Sequence, residues 1–302
     1  MSGQILKNNI DVIVIRAGII GSCCALQLAE RGLSVTVIDR HPPCEGASFG
    51  NAGVISPWSC VPQSVPGLWR RLPKWLLDPQ GPVFIRKRYA ASFLPWALKF
   101  LAAGNAKKVD SIGDSLLELS MKSPSSYRRL LAGTPALELV QDSLYVFSYK
   151  KRDHANLDHF GWKMRQERDV PLSLIGPGEL RDLEPDISSA YQAAIVIHEQ
   201  ARALNPSAIG KAIAEKARAL GVRFILEDTK KIGRQGTGWT ATCENGKYTA
   251  PKFVLAAGVW SASLLKPFGI KLPLEAERGY HLLCRDPGIN IKNSIMDVER
   301  MC

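Results

Sequence analysis

Small residues near the start of the chain have the spacing of a phosphate-binding turn. Within V-I-R-A-G-I-I-G, Gly18 and Gly21 stand at the second and third positions of the dinucleotide pattern G-x-G-x-x-G. The second glycine lets the backbone approach a pyrophosphate, and the third lets helix and strand pack closely. Asp39 follows about 20 positions later, where an acid accepts ribose hydroxyls. The pattern favours a nucleotide site; the alternative is glycines that serve packing alone, with Asp39 a solvated acid.

Arg16 occupies the first position of this pattern, where glycine normally makes the tight turn. Glycine adopts positive φ freely, whereas a residue with a Cβ atom does so only at a cost. The arginine side chain also fills space where the backbone and the pyrophosphate would meet. The positive charge attracts phosphate, but attraction does not remove a steric clash. We therefore predict that Arg16 weakens cofactor binding compared with glycine at the same position.

The elements around the turn follow the order of a parallel α/β fold. An apolar β-branched run at 10–15, a helical pattern that stops at Gly32 and a second apolar run at 34–39 form a βαβ unit. Later, Asn205 and Pro206 have the residue types of an N-cap and a first helical position. This second helix is followed by a predicted strand at 222–227, a hairpin over 238–251 and a buried strand at 252–258.

Length and composition are those of a globular chain with two domains. It has 302 residues, 46% of them hydrophobic and 22% charged, which excludes a disordered tail, a collagen-like fibre and a disulfide miniprotein. The sequence has no run of about 18 uncharged apolar residues, which argues against a transmembrane helix. Seven cysteines without a CxxC pair favour reduced thiols in the cytosol.

Positive charge is concentrated in one stretch of the chain. The net charge is +11, and residues 58–108 hold nine basic side chains against the single acid Asp78, which is +8 of that total. Trp69, Trp75 and Trp96 lie in the same stretch. The basic residues are Arg70, Arg71, Lys74, Arg86, Lys87, Arg88, Lys99, Lys107 and Lys108.

Four segments, taken together, carry a family signature. They are IDVIVIRAGIIGSCCALQLAERGLSVTVIDR at 10–40, ASFGNAGVISP at 47–57, KFVLAAGVWSASLL at 252–265 and ERGYHL at 277–282. In this order and spacing the chain resembles the FAD-dependent D-amino acid oxidase superfamily, most closely its bacterial D-amino acid dehydrogenases. The resemblance covers nearly the whole chain, more loosely between 58 and 190.

The fold class implied is α/β, a Rossmann-like FAD-binding domain with an inserted α+β substrate domain. The family pattern continues into a glycine-rich C-terminal segment, so we expect a fold truncated at the C-terminus. The predicted domains are 1–57 and 191–270 for the two parts of the FAD-binding domain, 58–190 for the substrate domain and 271–302 for the start of a return to it.

The resemblance implies FAD as the cofactor and assigns residues to it by position; no metal is implied. The residues implied are Gly18, Ile19, Ile20 and Gly21 for the pyrophosphate, Asp39 and Arg40 for the adenosine, Ser48, Asn51, Ala52 and Gly53 for the ribityl chain and flavin, and Ala256, Ala257, Gly258 and Trp260 for the strand beside the pyrophosphate. The helix N-terminus favours an anion because its amide N–H groups are free. Close packing of a strand end is the alternative for the Ala-Ala-Gly segment.

The chemistry implied is hydride transfer from the α-carbon of an amino acid to the flavin, followed by hydrolysis of the imino acid to a 2-oxo acid and ammonia. Arg278, Tyr280 and His281 are the candidate catalytic residues, because an arginine fork suits a substrate carboxylate. The alternative is a strand in which Tyr280 and His281 pack and Arg278 pairs with Glu275 or Glu277. His198 has the features of an ordinary, partly buried histidine.

The basic, tryptophan-bearing stretch at residues 58–108 has two possible interpretations. A peripheral contact of residues 69–99 with an anionic membrane would let a cytoplasmic enzyme on the inner face of the plasma membrane reduce a quinone. The alternative is a solvated basic face with the tryptophans in the core. No recognised motif supports nucleic-acid binding.

Three alternatives to an active D-amino acid dehydrogenase stay open. A catalytically impaired fragment or remnant with weak FAD binding fits Arg16 and the expected truncation. Oxidation of glycine or secondary amines is a further alternative, and D over L preference depends on the resemblance alone. An NAD-dependent enzyme is disfavoured by the SFGNAG loop at 48–53, which resembles a flavin site.

Overall fold

The structure is a computed structural model that describes residues 10–78, 83–284 and 286–300. Residues 1–9, 79–82, 285 and 301–302 fall within the predicted domains but lie outside this description, as does the side chain of Lys74.

Strands and helices alternate within residues 12–39, whereas five strands follow one another within residues 223–255 without an α-helix between them. The strands are β1 (Val12–Ile15), β2 (Val35–Asp39), β3 (Val54–Ile55), β4 (Val140–Tyr149), β5 (Leu172–Ile175), β6 (Ala193–Ala203), β7 (Arg223–Leu226), β8 (Lys231–Gln235), β9 (Gly238–Thr242), β10 (Lys247–Ala250), β11 (Lys252–Leu255) and β12 (Ser294–Asp297). The α-helices are α1 (Ile19–Ala29), α2 (Leu72–Leu77), α3 (Ala90–Ala103), α4 (Ala106–Ser120), α5 (Ser123–Leu131), α6 (Phe160–Gln166), α7 (Pro177–Leu183), α8 (Pro206–Ala219) and α9 (Ser261–Leu265).

The chain forms two compact units. The first unit comprises the residues up to 53, 128–139 and 204–281; the second comprises 54–127, 140–203 and the residues from 282 onward. The predicted α/β fold class with a parallel sheet is confirmed.

The first unit contains the predicted parallel sheet. Its strand order is β11-β1-β2-β7, and each neighbouring pair runs parallel. Apolar β-branched side chains keep β1 buried throughout and β2 buried up to Asp39, and Ile13, Ile15 and Ile38 belong to one hydrophobic cluster. The outer strands β7 and β11 are half-buried or exposed, so the prediction of a buried strand is wrong for β11. The helix α1 packs against α8, and the antiparallel strands β8, β9 and β10 form a separate small sheet.

The predicted start of α8 at Asn205 and the predicted end of α1 at Gly32 are both present in the first unit. The side chain of Asn205 accepts a hydrogen bond from the backbone N–H of Ala208 at 3.0 Å, so the predicted N-cap of α8 is present. Gly32 follows α1 with a φ of 80°, a left-handed conformation that glycine adopts without strain. The predicted hairpin is the antiparallel pair β9 and β10.

The second unit is built on a mixed sheet. Its strand order is β12-β4-β6-β3, and β5 pairs with a different part of β6. The strand β12 is parallel to β4, whereas the other pairs are antiparallel. The core beside this sheet includes Ile195, Ile197 and Trp162.

The unit boundaries differ from the predicted domain boundaries in four places. Residues 54–57, predicted in the FAD-binding domain, lie in the second unit, where β3 pairs with β6. Residues 191–203, predicted in the FAD-binding domain, lie in the second unit because β6 pairs with β4 from Ala193 to Ala203. Residues 128–139, predicted in the substrate domain, lie in the first unit, where residues 135–139 pack against α8. Residues 271–281, predicted as the return to the substrate domain, also lie in the first unit.

Candidate cofactor-binding site

The turn between β1 and α1 brings two backbone segments very close together. A Cβ atom at Gly21 would overlap the carbonyl oxygen of Arg16 and would lie 3.5 Å from the Cβ of Ala256. The helix α1 can therefore reach the end of β11 only with glycine at position 21, which is the packing role predicted for the third glycine of the pattern. At Gly18 the nearest atom to a Cβ is the Ser48 Oγ, at an ordinary contact distance of 3.5 Å.

The N-terminus of α1 presents free backbone donors. The N–H of Ile19 donates to the Ser48 Oγ at 3.0 Å. The N–H groups of Ile20 and Gly21 have no acceptor among the residues that the structure describes. Because the first N–H groups of a helix point out of it and its dipole favours negative charge, this end of α1 suits a phosphate group.

The loop at 47–53 is held by its own side chains. The Asn51 Oδ1 accepts a hydrogen bond from the N–H of Gly53 at 2.9 Å, and Gly53 has a φ of 69°. Ala52 is exposed and Ser48 is half-buried beside α1. A Cβ atom at Gly50 would overlap the imidazole ring of His281, so this histidine lies directly against the loop backbone.

The strand end after β11 lies beside the turn. The N–H of Ala256 donates to the carbonyl oxygen of Ile15 at 3.0 Å, and Ala257 is buried. Gly258 has a φ of 53°, which explains the glycine at this position. The guanidinium of Arg40 lies 4.9 Å from the ring centroid of Trp260, a cation–π contact between two of the predicted site residues.

Both carboxylate oxygens of Asp39 already have protein donors. The Asp39 Oδ2 accepts from the N–H of Ala17 at 2.7 Å, and the Oδ1 accepts from the N–H of His41 at 3.2 Å. The Oδ1 also accepts from the Arg16 Nη1 at 3.1 Å. The acid predicted to bind the ribose is therefore engaged by the side chain that departs from the glycine pattern.

Asp228 is a site residue that the sequence did not reveal. It accepts from the Arg16 Nη2 at 2.8 Å and from the Lys230 Nζ at 3.1 Å. Burial raises the pKa of Asp228, but hydrogen bonds and charges from Lys230 and Arg16 more than offset this, so its net pKa is lowered. In the sequence, Asp228 is recognisable only as an acid that follows a predicted strand near the end of the chain. The pairing of β7 with β2 brings it close to Arg16.

The three candidate catalytic residues lie in a segment without regular secondary structure. Arg278 and Tyr280 are exposed, Tyr280 at 86%, and His281 contacts Gly50. The alternative strand does not form here. Arg278 has no ion pair with Glu275, Glu277 or any other residue that the structure describes.

The second unit contains a cavity of about 460 Å³ that the sequence did not predict. The Ser123 Oγ in its wall is buried and has no hydrogen-bond partner among the described residues. Such a wall, part apolar and part hydroxyl, suits a small polar ligand. The lining residues are Val54, Ile55, Ser56, Ser59, Ser120, Ser123, Tyr127 and Tyr145.

The second unit also has a surface that is both basic and apolar. Trp69 is 61% exposed, Leu77 83% and Phe84 88%, whereas Trp75 and Trp96 are half-buried. Of these three tryptophans, Trp69 alone is mostly exposed, so the second interpretation, with the tryptophans in the core, fails for Trp69. We call this the basic apolar surface; its exposed members are Trp69, Arg70, Arg71, Leu76, Leu77, Phe84, Arg86, Lys87, Arg88, Leu94, Leu98 and Lys99.

The described residues contain no candidate membrane-spanning helix and no candidate metal site. Within residues 10–78, 83–284 and 286–300, no helix is both long enough and apolar enough to cross a membrane. The same residues contain no cluster of three or more side chains able to hold a metal ion.

The residues fit FAD at one end of the site and conflict with it at the other. The N–H groups of Ile20 and Gly21 at the start of α1 have no acceptor among the described residues, and such donors suit a pyrophosphate. At Asp39 the Arg16 guanidinium and the N–H of His41 both donate to the Oδ1, whereas the Oδ2 accepts only from the N–H of Ala17 among the described residues. A ribose that uses both oxygens therefore has to compete with Arg16 for the Oδ1. A parallel sheet with a glycine turn and a strand-end acid defines a Rossmann-type nucleotide-binding protein.

The chain belongs to the DAO family of FAD-dependent oxidoreductases. The model of that family, described as FAD dependent oxidoreductase, matches residues 11–300. The predicted family, its FAD cofactor and the oxidoreductase class are therefore confirmed.

Curated relatives and solved structures agree with this assignment. The chain is 32% identical over 289 residues to a D-amino-acid oxidase of Bradyrhizobium diazoefficiens, which covers 94% of this chain and 68% of the relative. It is 28% identical to a D-amino acid dehydrogenase of Rhodopseudomonas palustris, covering 95% and 69%. The crystal structure of glycine oxidase from Geobacillus kaustophilus has a similar fold, with a TM-score of 0.61, 19% identity and coverage of 88% and 60%. The chain thus spans little more than two thirds of these relatives' length and less of the glycine oxidase.

Proposed function

We propose that this chain is an FAD-dependent oxidoreductase that oxidises the CH–NH2 group of small amino acids, D-amino acids first. The observation that carries the proposal is the 32% identity with a D-amino-acid oxidase over 94% of the chain. The N–H donors of Ile20 and Gly21 at the start of α1 and the second unit's hydroxyl-lined cavity support it. Oxidation of glycine ranks second, because the likeness to glycine oxidase concerns the fold.

In the proposed reaction the substrate loses a hydride from its α-carbon and a proton from its nitrogen. FAD would supply the acceptor for the hydride and its electron pair, the proton would pass to water, and water would hydrolyse the imino acid to a 2-oxo acid and ammonia. Arg278 would bind the substrate carboxylate, because its guanidinium has no ion-pair partner among the described residues. His281 would hold the backbone of the flavin loop through its contact with Gly50, and Tyr280 would border the substrate.

The test is anaerobic reduction of the FAD-loaded chain by single amino acids. We expect D-alanine to bleach the flavin absorbance near its visible maximum, with glycine and sarcosine weaker and L-alanine inactive. Arg278→Ala should raise the substrate concentration for half-reduction about a hundredfold, because one bidentate charged contact is lost. Arg181→Ala, at an exposed arginine of α7, is the control. A chain that holds FAD stoichiometrically yet is reduced by none of these amino acids contradicts the proposal.

We further propose that the basic apolar surface contacts an anionic membrane from the cytoplasmic side and that the electron acceptor there is a quinone. Exposed Leu77 and Phe84 are close in sequence to exposed Arg86, Lys87 and Arg88, a combination of apolar and basic groups typical of interfacial contacts. The net charge of this stretch makes a lipid surface with negative head groups the matching partner. Binding of nucleic acid is not part of the proposal.

Vesicle sedimentation tests the membrane contact. We expect the chain to bind vesicles with one third phosphatidylglycerol and to stay in solution with phosphatidylcholine alone. The double variant Leu77→Ser with Phe84→Ser should lose most binding, because it removes two of the most exposed apolar side chains of the surface. Leu119→Ser is the matched control, since Leu119 is 82% exposed but lies in α4. Equal binding by all three proteins would overturn the proposal.

A further inference from the structure

Arg16 is an unusual residue in both its backbone and its side chain. Its φ of 78° lies in the left-handed region, which is unfavourable for a residue with a Cβ. Its side chain is nevertheless directed into the protein, where the residue is only 9% exposed and its Nε has no hydrogen-bond partner among the described residues. Strain and incomplete pairing both cost stability, so the contacts of the guanidinium must offset them.

Those contacts lie at the carboxyl ends of two neighbouring strands. Asp39 ends β2, and Asp228 follows two residues after β7, which pairs in parallel with β2. Arg16 itself follows β1, on the other side of β2, so its side chain spans the end of β2 to reach Asp228. The crevice outside the carboxyl ends of such strands is where open α/β sheets bind their ligands.

The position of the guanidinium changes the clash predicted from the sequence. We expected the side chain to fill space at the pyrophosphate, but the structure directs it to Asp39 and Asp228. The N–H groups of Ile20 and Gly21 in the first turn of α1 still have no acceptor among the described residues. The conflict therefore concerns the adenosine end of the cofactor rather than its phosphates.

We propose that Arg16 is a tethered competitor for the adenosine subsite: its guanidinium occupies Asp39, and an adenine nucleotide has to displace it before the ribose hydroxyls can bind. The inference deepens the proposed function and rests on its FAD site. It assigns to a residue of this chain the control of affinity for the adenosine half of the cofactor. An alternative role, in which Arg16 turns outward to bind a phosphate, predicts the opposite effect of its removal.

Calorimetric titration with ADP tests this inference without any need for catalysis. ADP carries the adenosine and pyrophosphate of FAD but no flavin. We expect Arg16→Gly to bind ADP about tenfold more tightly than the natural chain, because one charged hydrogen bond to Asp39 no longer has to be broken. FMN, which lacks the adenosine, should bind both proteins equally.

Three further variants separate competition from backbone strain. Arg16→Asn relieves the strain, since asparagine tolerates positive φ, and it is too short to reach Asp228; it should bind ADP as Arg16→Gly does. Asp228→Asn keeps Arg16 but removes one of its two anchors, so a smaller gain is expected. Lys230→Ala is the matched control, because it removes the other cation beside Asp228 and leaves Arg16 in place.

The outcomes are distinct from those of the amino-acid experiment. Equal ADP affinity in the natural chain and Arg16→Asn overturns the inference, and weaker binding by the variants shows that Arg16 is a phosphate ligand instead. Thermal unfolding without ligand identifies any variant that fails to fold, and Asp228→Asn then provides the comparison. A gain in ADP affinity together with no reduction by amino acids would support the inference and contradict the proposed function.

Discussion

The carbonyl oxygen of Arg16 occupies the position that a Cβ atom at residue 21 would take, so only glycine fits there without a backbone shift. Gly21→Ala should therefore lower the free energy of unfolding by about 1–3 kcal/mol even without cofactor, since a backbone atom has to move. Gly18→Ala is the matched comparison: its Cβ has ordinary contacts, so stability should stay within about 0.5 kcal/mol of the natural chain. Urea unfolding of the ligand-free proteins measures both; equal effects would contradict the argument.

Asp228 makes the stability of the first unit decrease as the pH falls into the acidic range. Its folded pKa is lowered, since the hydrogen bonds from Lys230 and Arg16 outweigh the effect of burial. Because the pKa of Asp228 is lower in the folded state, its ionised carboxylate contributes fully to the free energy of unfolding above about pH 4, the ordinary aspartate pKa. This contribution is lost as the pH falls through the pKa of the folded state. Melting temperatures measured from neutral pH to pH 3 should fall less steeply for Asp228→Asn. Parallel curves would show that Asp228 has no such role.

Single residues could be predicted where the reason is local. Gly18 and Gly21 lie at the predicted turn between β1 and α1, because the start of a helix after a strand depends on neighbours in the chain. The partner of Arg16 could not be predicted in this way. Asp228 is 212 positions away, and no local pattern specifies which late acid meets an early arginine.

The segment before β12 is held by one buried carboxyl group. Glu184, fully buried after α7, accepts hydrogen bonds from the N–H groups of Lys292 and Asn293 at 3.1 and 2.6 Å, and from the Asn293 side chain at 2.8 Å. Asn293 in turn accepts from the N–H of Leu144 in β4 at 2.8 Å. The edge strand β12 is therefore fixed to the second unit partly through a single side chain.

Glu184→Ala should cost about 2–3 kcal/mol of unfolding free energy, because it leaves buried donors without an acceptor. Glu184→Gln retains an acceptor oxygen and should cost less. Amide hydrogen exchange at residues 292–297 should speed up in the alanine variant. Asp186→Asn is the control, since Asp186 is exposed and accepts only from the N–H of Asn290. Unchanged exchange at β12 would mean that sheet pairing alone holds this strand.

Elements with strong local signals were predicted, whereas membership of the units was not. The helix α8 and the strands β1, β2 and β11 have caps or apolar runs that determine them locally. The strand β6 has an equally clear apolar run, yet its place depends on pairing with β4 some fifty residues earlier. Periodicity identifies a strand, but it does not identify the sheet to which the strand belongs.

The uneven charge of the molecule leads to a prediction about ionic strength. Eight of eleven net positive charges lie within residues 58–108, and screening weakens exposed charges as the Debye length falls from about 10 Å at 0.1 M salt to about 3 Å at 1 M. Binding to phosphatidylglycerol vesicles should therefore decrease steadily over this range. Arg86→Glu with Arg88→Glu should flatten the salt dependence, and Arg181→Glu in α7 should not. Binding that is insensitive to salt would attribute the contact to apolar side chains alone.

The sheet of the first unit imposes an order on its own assembly during synthesis. The strand β1 lies between β2 and β11, and Lys252 of β11 lies 240 positions after its partner Val12. At about 5–20 residues per second, the ribosome needs roughly ten seconds to a minute to supply that partner. Throughout this time one edge of β1, lined by Val12 to Ile15, has no strand beside it. The nascent chain is thus a natural client for chaperones that cover apolar strands until translation has passed β11.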